Sequence, residues 1–307
     1  MRQFALFILA IILFTRCVED FDLKLPKAEP RLVVEGLISN HIGPSYILLT
    51  KSKIGSFSNP GKSYMGYMQN AELVKDALVV ISDDSGQVDT LKLIKANDQS
   101  TKRDQWYNGG YKTSRLKGIP GHTYELKIKV WGKEFNASAF MPAVPEIDSL
   151  RYAMKTDEKD GQQYYVPLLN FKEPQGIENY YLVQLKDEFS PYSGVNTAIW
   201  VYSIFTDTYM KPYVSNLDIS LGANPRGVTY TTYLEGDSIY LWLSSLTKES
   251  YEYYKSLLDQ FENDGGAYKP TPTSPPGNIS NGGLGLFRAS AFTESRVKIP
   301  RVHKSPY

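Results

Sequence analysis

The sequence contains very little of two residue types on which many common functions depend. It has one cysteine, Cys17, and three histidines, His41, His122 and His303, in 307 residues. A single cysteine excludes an intrachain disulfide, so packing alone must hold the fold together in an oxidising compartment. No histidine stands at metal-ligand spacing from another histidine, from the cysteine or from a carboxylate. We therefore expect neither a metal site nor a bound cofactor.

An excess of charge of one sign is also missing. The 34 lysines and arginines almost balance the 33 aspartates and glutamates, which leaves a formal net charge of +1. Such a chain has no strong field to attract nucleic acid or to steer an acidic substrate. Nucleic acid is therefore not an expected partner.

The chain carries none of the short motifs that mark common catalytic sites, such as a G-x-S-x-G elbow, an H-E-x-x-H pair or a phosphate-binding loop. The glycine-rich run Gly282–Gly285 precedes a strand pattern and not a helix, which favours a turn over a nucleotide site. The acidic segments Asp83–Gly86 and Asp157–Gly161 lack the spaced ligands and the terminal glutamate of a calcium loop, so hairpin turns explain them better. We expect no enzymatic activity. Two carboxylates that meet only in space would be invisible in the sequence, so a hydrolase stays open as an alternative.

The only long apolar run, Phe4–Phe14, is too short to cross a membrane, since a helical span needs about 20 residues. With a basic residue before it, this run is typical of a secretory signal. Cys17 stands where a signal peptidase would cut, so residues 1–17 resemble a bacterial lipoprotein signal in which Cys17 becomes the acylated first residue. Phe14 and Arg16 depart from the aliphatic and small residues usual before such a cysteine. The alternative is an ordinary, unmodified cysteine.

Residues 18–30 follow as a predicted tether, because Pro26 and Pro30 stand there among charges. The acidic run Glu19–Asp22 resembles the export signal that sends Bacteroidota lipoproteins to the cell surface. A merely solvated tether explains it as well. We expect a lipid-anchored protein of the outer membrane that faces the cell surface.

What the sequence does contain is the pattern of short β-strands. From Thr123 to Trp131, apolar and charged residues alternate, which is the period of a half-buried strand. Strands of this kind, separated by turn residues, predict an all-β protein that begins with an immunoglobulin-like or prealbumin-like β-sandwich over residues 31–141. A mature chain of about 290 residues favours two domains. The proline-rich segment 142–146 is the predicted linker between them.

The second half, residues 147–307, continues the strand pattern and is predicted to form a β-rich sandwich or barrel-like domain. One amphipathic helix is predicted near residues 247–263, because Thr247 is a suitable N-cap and apolar residues follow at helical spacing.

Aromatic residues in glycine-rich segments are the candidates for ligand or partner contact. Phe57, Tyr64 and Tyr67 lie in a long predicted loop, and Trp106 and Tyr107 precede a pair of glycines. Aromatic side chains on loops bury a large area at low entropic cost, which makes them typical of recognition surfaces. The alternative is that most of them pack against the sheets.

Several segments together resemble a family of Bacteroidota outer-membrane lipoproteins known as domain of unknown function 4249. The resemblance rests on the order of Cys17 with its acidic residues and the following segments: Leu32–Ile38, Val79–Gly86, Val144–Leu150, Phe171–Tyr181, Ser250–Tyr254 and Asn278–Phe287. The family has no assigned enzymatic activity, so the resemblance implies no catalytic residues. Its genes often lie beside those of TonB-dependent receptors, which implies an accessory role in nutrient uptake through such a barrel. The alternative is a structural or adhesive envelope lipoprotein without a small-molecule ligand.

Overall fold

Strands dominate the part of the chain that the computed structural model describes, namely residues 29–52, 72–95, 104, 107–158, 161–186, 202–224, 227–230, 233–262 and 274–301. Eighteen strands in four sheets and one helix occur in these residues. The predicted all-β class with sandwich-like packing is confirmed.

Two sheets enclose the first core. One has five strands in the order β17-β1-β2-β6-β5, and their bounds are β1 Leu32–Ser39, β2 Tyr46–Lys51, β5 Lys92–Leu93, β6 Tyr111–Lys112 and β17 Leu284–Ser290. The other has four strands in the order β4-β3-β7-β8, and their bounds are β3 Leu78–Asp83, β4 Val88–Thr90, β7 Thr123–Val130 and β8 Lys133–Phe140. The predicted alternation of β7 holds, since its apolar residues are buried and Glu125, Lys127 and Lys129 are exposed. Burying each such apolar side chain stabilises the fold by roughly 1.5–3 kcal/mol.

Two further sheets enclose the second core. The three-stranded sheet has the order β13-β10-β9, with β9 Ile147–Thr156, β10 Gln163–Lys172 and β13 Tyr213–Asp218. The six-stranded sheet has the order β15-β14-β12-β11-β16-β18, with β11 Tyr180–Lys186, β12 Tyr202–Thr206, β14 Leu221–Asn224, β15 Gly227–Tyr230, β16 Ser238–Leu246 and β18 Phe292–Lys298. Phe171, Tyr181 and Leu241 are among the fully buried members of this core.

The chain returns to its first sheet near the end of the described residues. β17 pairs in parallel with β1, from Val33 opposite Leu284 to Ser39 opposite Ser290. The next strand, β18, pairs instead with β16 in the six-stranded sheet. These two consecutive strands therefore belong to different sheets.

The predicted linker 142–146 is held by hydrogen bonds to the second half. Ser245 Oγ donates to the carbonyl of Pro142 at 2.8 Å, and Thr293 Oγ1 donates to the carbonyl of Pro145 at 3.1 Å. Val144 packs against both cores. The segment is therefore a fixed connection between the two cores.

The predicted helix is confirmed as α1, Lys248–Glu262. Thr247 caps it, because its Oγ1 accepts a hydrogen bond from the Ser250 amide at 3.3 Å. Tyr251, Tyr254 and Leu258 pack on the outer face of the six-stranded sheet, against Tyr180, Leu182 and Leu246. Among the described residues, no helix has the length and apolar character needed to span a membrane.

Candidate functional site

Most of the residues predicted to contact a ligand or partner lie outside the described part of the chain. This holds for Cys17, Phe57, Tyr64, Tyr67 and Trp106. Their predicted roles stay predictions.

Tyr107 is described, and its ring is buried against the outer face of the five-stranded sheet. It stacks on Tyr46 with ring centroids 4.3 Å apart and an angle of 15° between the ring planes. The Tyr46 hydroxyl donates to Asp104 Oδ1 at 3.3 Å, and Lys112 Nζ lies 2.9 Å from the same oxygen. Tyr107 therefore belongs to a small packed cluster on the sheet face, and its predicted role in partner contact stays a prediction.

Metal-ligating side chains do not gather in the part of the chain that the structure describes. No group of three His, Cys, Asp or Glu residues there is arranged to hold a metal ion.

The segment Phe171–Tyr181, which stood out in the sequence, forms a hydrogen-bonded loop at one end of the second core. Asn179 is at its centre, because its Nδ2 donates to Glu173 Oε1 at 2.8 Å and to Asp207 Oδ2 at 3.1 Å. The backbone N–H of Asn179 donates to the same Asp207 oxygen at 2.9 Å. The Tyr181 hydroxyl donates to both oxygens of Glu173 at 2.9 and 3.0 Å. These contacts join the loop between β10 and β11 to the loop between β12 and β13.

The charges of this network favour a proton on its buried groups. Burial raises the pKa of Glu173, the hydrogen bonds from Tyr181 and Asn179 oppose that rise, and the nearby Asp207 carboxylate adds to it. Burial raises the pKa of the Tyr181 hydroxyl as well, and the hydrogen bond to Glu173 raises it further. Tyr181 therefore stays a neutral donor at physiological pH, which keeps its hydrogen bonds to Glu173.

The joined loops present three large side chains to solvent. Tyr209 is 97% exposed, Ile177 is 67% exposed and Tyr213, at the start of β13, is 46% exposed. We call these three residues the apolar loop surface. Sequence reasoning did not select them as contact residues. The only sequence feature that pointed to them is that Ile177 lies within the Phe171–Tyr181 segment on which the family resemblance rests.

A rigid display of this kind suits recognition of another macromolecule. Because hydrogen bonds already hold the two loops, only the exposed side chains lose conformational entropy when a partner covers them. The backbone between Asp207 and Met210 is also fixed, since the Met210 amide donates to the Asp207 carbonyl at 2.7 Å. The arrangement can therefore bind a partner without prior ordering of its loops.

Comparison with known proteins identifies one family. The family model described as "Domain of unknown function (DUF4249)" matches residues 18–296. The match covers the first core and all of the second core except Val297 and Ile299, and it begins at the residue after Cys17. No curated protein matches the chain.

Proposed function

This chain belongs to the domain of unknown function 4249 family, and on that premise we propose that it is a non-enzymatic outer-membrane lipoprotein that faces the cell surface and docks on a TonB-dependent receptor during nutrient uptake. The observation that carries the docking part is the apolar loop surface of Ile177, Tyr209 and Tyr213, which is exposed and held in place by the Asn179 network. The resemblance to lipoproteins encoded beside such receptors supports the choice of partner.

The anchoring part of the proposal is supported by the N-terminal sequence. The apolar run Phe4–Phe14 has the length of a signal and not of a membrane span. The family match starts at residue 18. This is the residue directly after Cys17, and Cys17 is the expected first residue of the mature chain. Acylation of Cys17 would hold the folded part at the membrane surface.

Replacement of the cysteine tests the anchor. We expect Cys17→Ala to release the protein from the membrane fraction into the soluble fraction, because the lipid attachment atom is lost. A matched Arg16→Ala variant should stay membrane-bound, because it removes a residue that fits poorly beside the cleavage site. A Cys17→Ala protein that is still fully membrane-bound would contradict the lipid anchor.

Affinity purification tests the docking. A tagged copy is purified from native outer membranes in mild detergent, and the recovered proteins are identified by mass spectrometry. We expect one large β-barrel receptor in near-equal amount. The double variant Ile177→Ser and Tyr209→Ser should recover at least about tenfold less receptor, since each buried apolar side chain contributes roughly 1.5–3 kcal/mol.

The matched control is Ile42→Ser, which removes another exposed apolar side chain, 88% exposed, from the loop between β1 and β2. It should recover as much receptor as the unchanged protein. Recovery of the lipoprotein alone would contradict receptor docking and favour the structural or adhesive alternative. Equal losses in both variants would contradict the assignment of the contact to the apolar loop surface.

A further inference from the structure

An arginine lies buried where helix α1 meets the edge strand of the five-stranded sheet. Only 4% of the surface of Arg288, on β17, is exposed to solvent. Side chains alternate between the two faces of a strand, and Phe287 and Ala289 point into the first core, so Arg288 points to the opposite face. Arg288 lies opposite Leu37 in the parallel register, so these two side chains share a face of the sheet. Glu35 stands two residues before Leu37 on β1 and therefore lies on the same face.

Helix α1 covers this position with two tyrosines. The Arg288 Cζ atom lies 5.5 Å from the centroid of the Tyr254 ring, which is the geometry of a cation–π contact. Tyr253 also lies close enough to Glu35 for the two groups to interact electrostatically. We call Glu35, Arg288, Tyr253 and Tyr254 the Arg288 cluster.

One nitrogen of the Arg288 guanidinium has no hydrogen-bond partner. Among the described residues, Nη1 of Arg288 is the only fully buried side-chain nitrogen or oxygen without one. A buried polar group without a partner costs about 1–3 kcal/mol, and more when it is charged. Arginine cannot avoid this cost by losing its proton, because a guanidinium group is not deprotonated in proteins. The position therefore calls for an acceptor that the described chain does not supply.

Glu35 does not neutralise the arginine at neutral pH. Burial raises the pKa of Glu35 to about 8, although the charge of Arg288 opposes the rise. Most Glu35 side chains are therefore protonated at pH 7, and a protonated carboxyl group can donate a hydrogen bond. Burial also raises the pKa of both Tyr253 and Tyr254, so these hydroxyl groups are neutral. Around Arg288 the cluster therefore holds one positive charge and three neutral groups, of which the Tyr254 hydroxyl accepts a hydrogen bond from Arg288.

The outer side of the cluster borders solvent, and an anion reaches the covered Nη1 atom of Arg288 once the side chains above it move aside. Glu35, Tyr253 and Tyr254 each keep part of their surface exposed, while Arg288 lies beneath them. The planar guanidinium matches the spacing of two oxygens in a carboxylate or a phosphate. Hydrogen bonds between these charged groups are roughly twice as strong as hydrogen bonds between neutral groups.

We propose that the Arg288 cluster binds an oxyanion group, a carboxylate or a phosphate, of a small ligand, with Arg288 Nη1 as its charged donor. The anion supplies the missing acceptor and neutralises the buried charge. Protonated Glu35 adds a second donor beside it. This site shares no residue with the apolar loop surface, so the inference stands independently of receptor docking.

Titration of the purified mature chain with succinate and with sulfate tests the site. Succinate represents a carboxylate source and sulfate represents a phosphate source, and both keep a constant charge between about pH 7 and about pH 9. Isothermal titration at fixed ionic strength, made up with chloride, should show saturable binding of at least one of them. The stronger of the two identifies the class of the group that binds.

Two variants locate the anion on Arg288. Arg288→Met keeps most of the apolar stem but removes the donor, and it should weaken binding at least about tenfold, since a charge-assisted hydrogen bond contributes about 1.5–3 kcal/mol. Arg296→Met, which removes an exposed arginine from β18, should bind as the unchanged protein does. Equal binding by Arg288→Met and the unchanged protein would overturn the proposal, as would no saturable binding of either anion.

The pH dependence gives a readout that does not depend on the folding of the Arg288 variant. Binding should weaken from pH 7 to pH 9, because Glu35 ionises above a pKa of about 8 and then competes with the anion for Arg288. The other groups that face Glu35 are Arg288, Tyr253 and Tyr254, and none of them changes charge over this range. Glu35→Gln should bind equally at both pH values. A pH dependence that persists unchanged in Glu35→Gln would overturn the assignment to this cluster.

Discussion

At the scale of single residues, the carboxylate of Asp89 organises the turn that follows β6. Asp89 is 3% exposed, and its Oδ2 accepts hydrogen bonds from the amides of Ser114, Arg115 and Leu116 at 2.7, 2.7 and 2.9 Å. This turn brings Leu116 into the first core. Burial alone would raise the pKa of Asp89, but the three backbone hydrogen bonds and the charge of Arg115 outweigh burial and lower it.

Replacement of this carboxylate should destabilise the fold in a pH-dependent way. We expect Asp89→Asn to lower the free energy of unfolding at pH 7 by about 1–3 kcal/mol, because three charge-assisted hydrogen bonds become neutral or are lost. The pKa of Asp89 in the folded state lies below the unfolded value of about 3.9, so its negative charge stabilises the fold above about pH 4. This stabilisation is lost as the pH falls through the folded-state pKa. Urea unfolding at several pH values measures both effects.

The control for this variant is Asp148→Asn, since Asp148 is exposed at the start of β9. It should leave the free energy of unfolding within about 0.5 kcal/mol of the unchanged protein. If Asp89→Asn also stayed within that limit, the turn would not depend on the carboxylate.

At the scale of elements, the parallel pair of β1 and β17 depends on a close approach of two backbones. Gly285 has a φ of +92°, and a Cβ atom there would lie 2.0 Å from the carbonyl oxygen of Val34. Asn278 fixes the strand from its other side, because its Oδ1 accepts from the Phe287 amide at 2.9 Å and its Nδ2 donates to the Phe287 carbonyl at 2.7 Å. The glycine and the asparagine of the Asn278–Phe287 segment therefore have structural roles.

A methyl group at this position should disrupt the strand pair. We expect Gly285→Ala to lower the free energy of unfolding by about 2–5 kcal/mol, because the backbone strain of about 1–2 kcal/mol adds to an overlap with a carbonyl that cannot move away. Gly282→Ala is the matched control. Its φ is +73°, but no atom lies within 4 Å of the added Cβ, so only the backbone strain applies. Thermal unfolding followed by circular dichroism should rank the two variants in this order, and equal losses would show that the close approach is unimportant.

At the scale of the whole molecule, the two cores are joined by an exchange of strands near the end of the chain. β17 contributes Phe287 and Ala289 to the first core, and Ala291 follows it there. β18 then continues into the six-stranded sheet against β16. Each core is therefore completed only when the last described strands are in place.

The first half should not fold without β17. We expect a fragment of residues 29–146 to show no cooperative thermal transition, because it lacks the edge strand and the apolar side chains that close its core. Addition of a peptide of residues 274–292 should restore a transition, whereas the same peptide with Phe287→Ser should not. A fragment that unfolds as cooperatively as the full chain would show that the predicted division at 142–146 separates independent domains.

Local patterns in the sequence predicted the elements of this protein well. The alternation in β7, the bounds of helix α1 and the all-β class depend on neighbouring residues, whose side-chain directions follow from the strand and helix periods alone. The family resemblance was also readable from the order of its segments and is confirmed by the match over residues 18–296. The lipid anchor at Cys17 stays a prediction from the sequence, because Cys17 lies outside the described residues.

Only the tertiary structure decided which distant residues meet. Glu35 and Arg288 are separated by most of the chain, and nothing local to either predicts that a parallel strand pair places them on one face beneath a helix. The loops of Ile177 and Tyr209 are likewise joined by the hydrogen bonds from Asn179 to Asp207, which are far apart in the sequence. The sequence alone determined the periods of the elements because those depend on local sterics. The sites depend on long-range pairing, whose register is set by the packing of the whole chain.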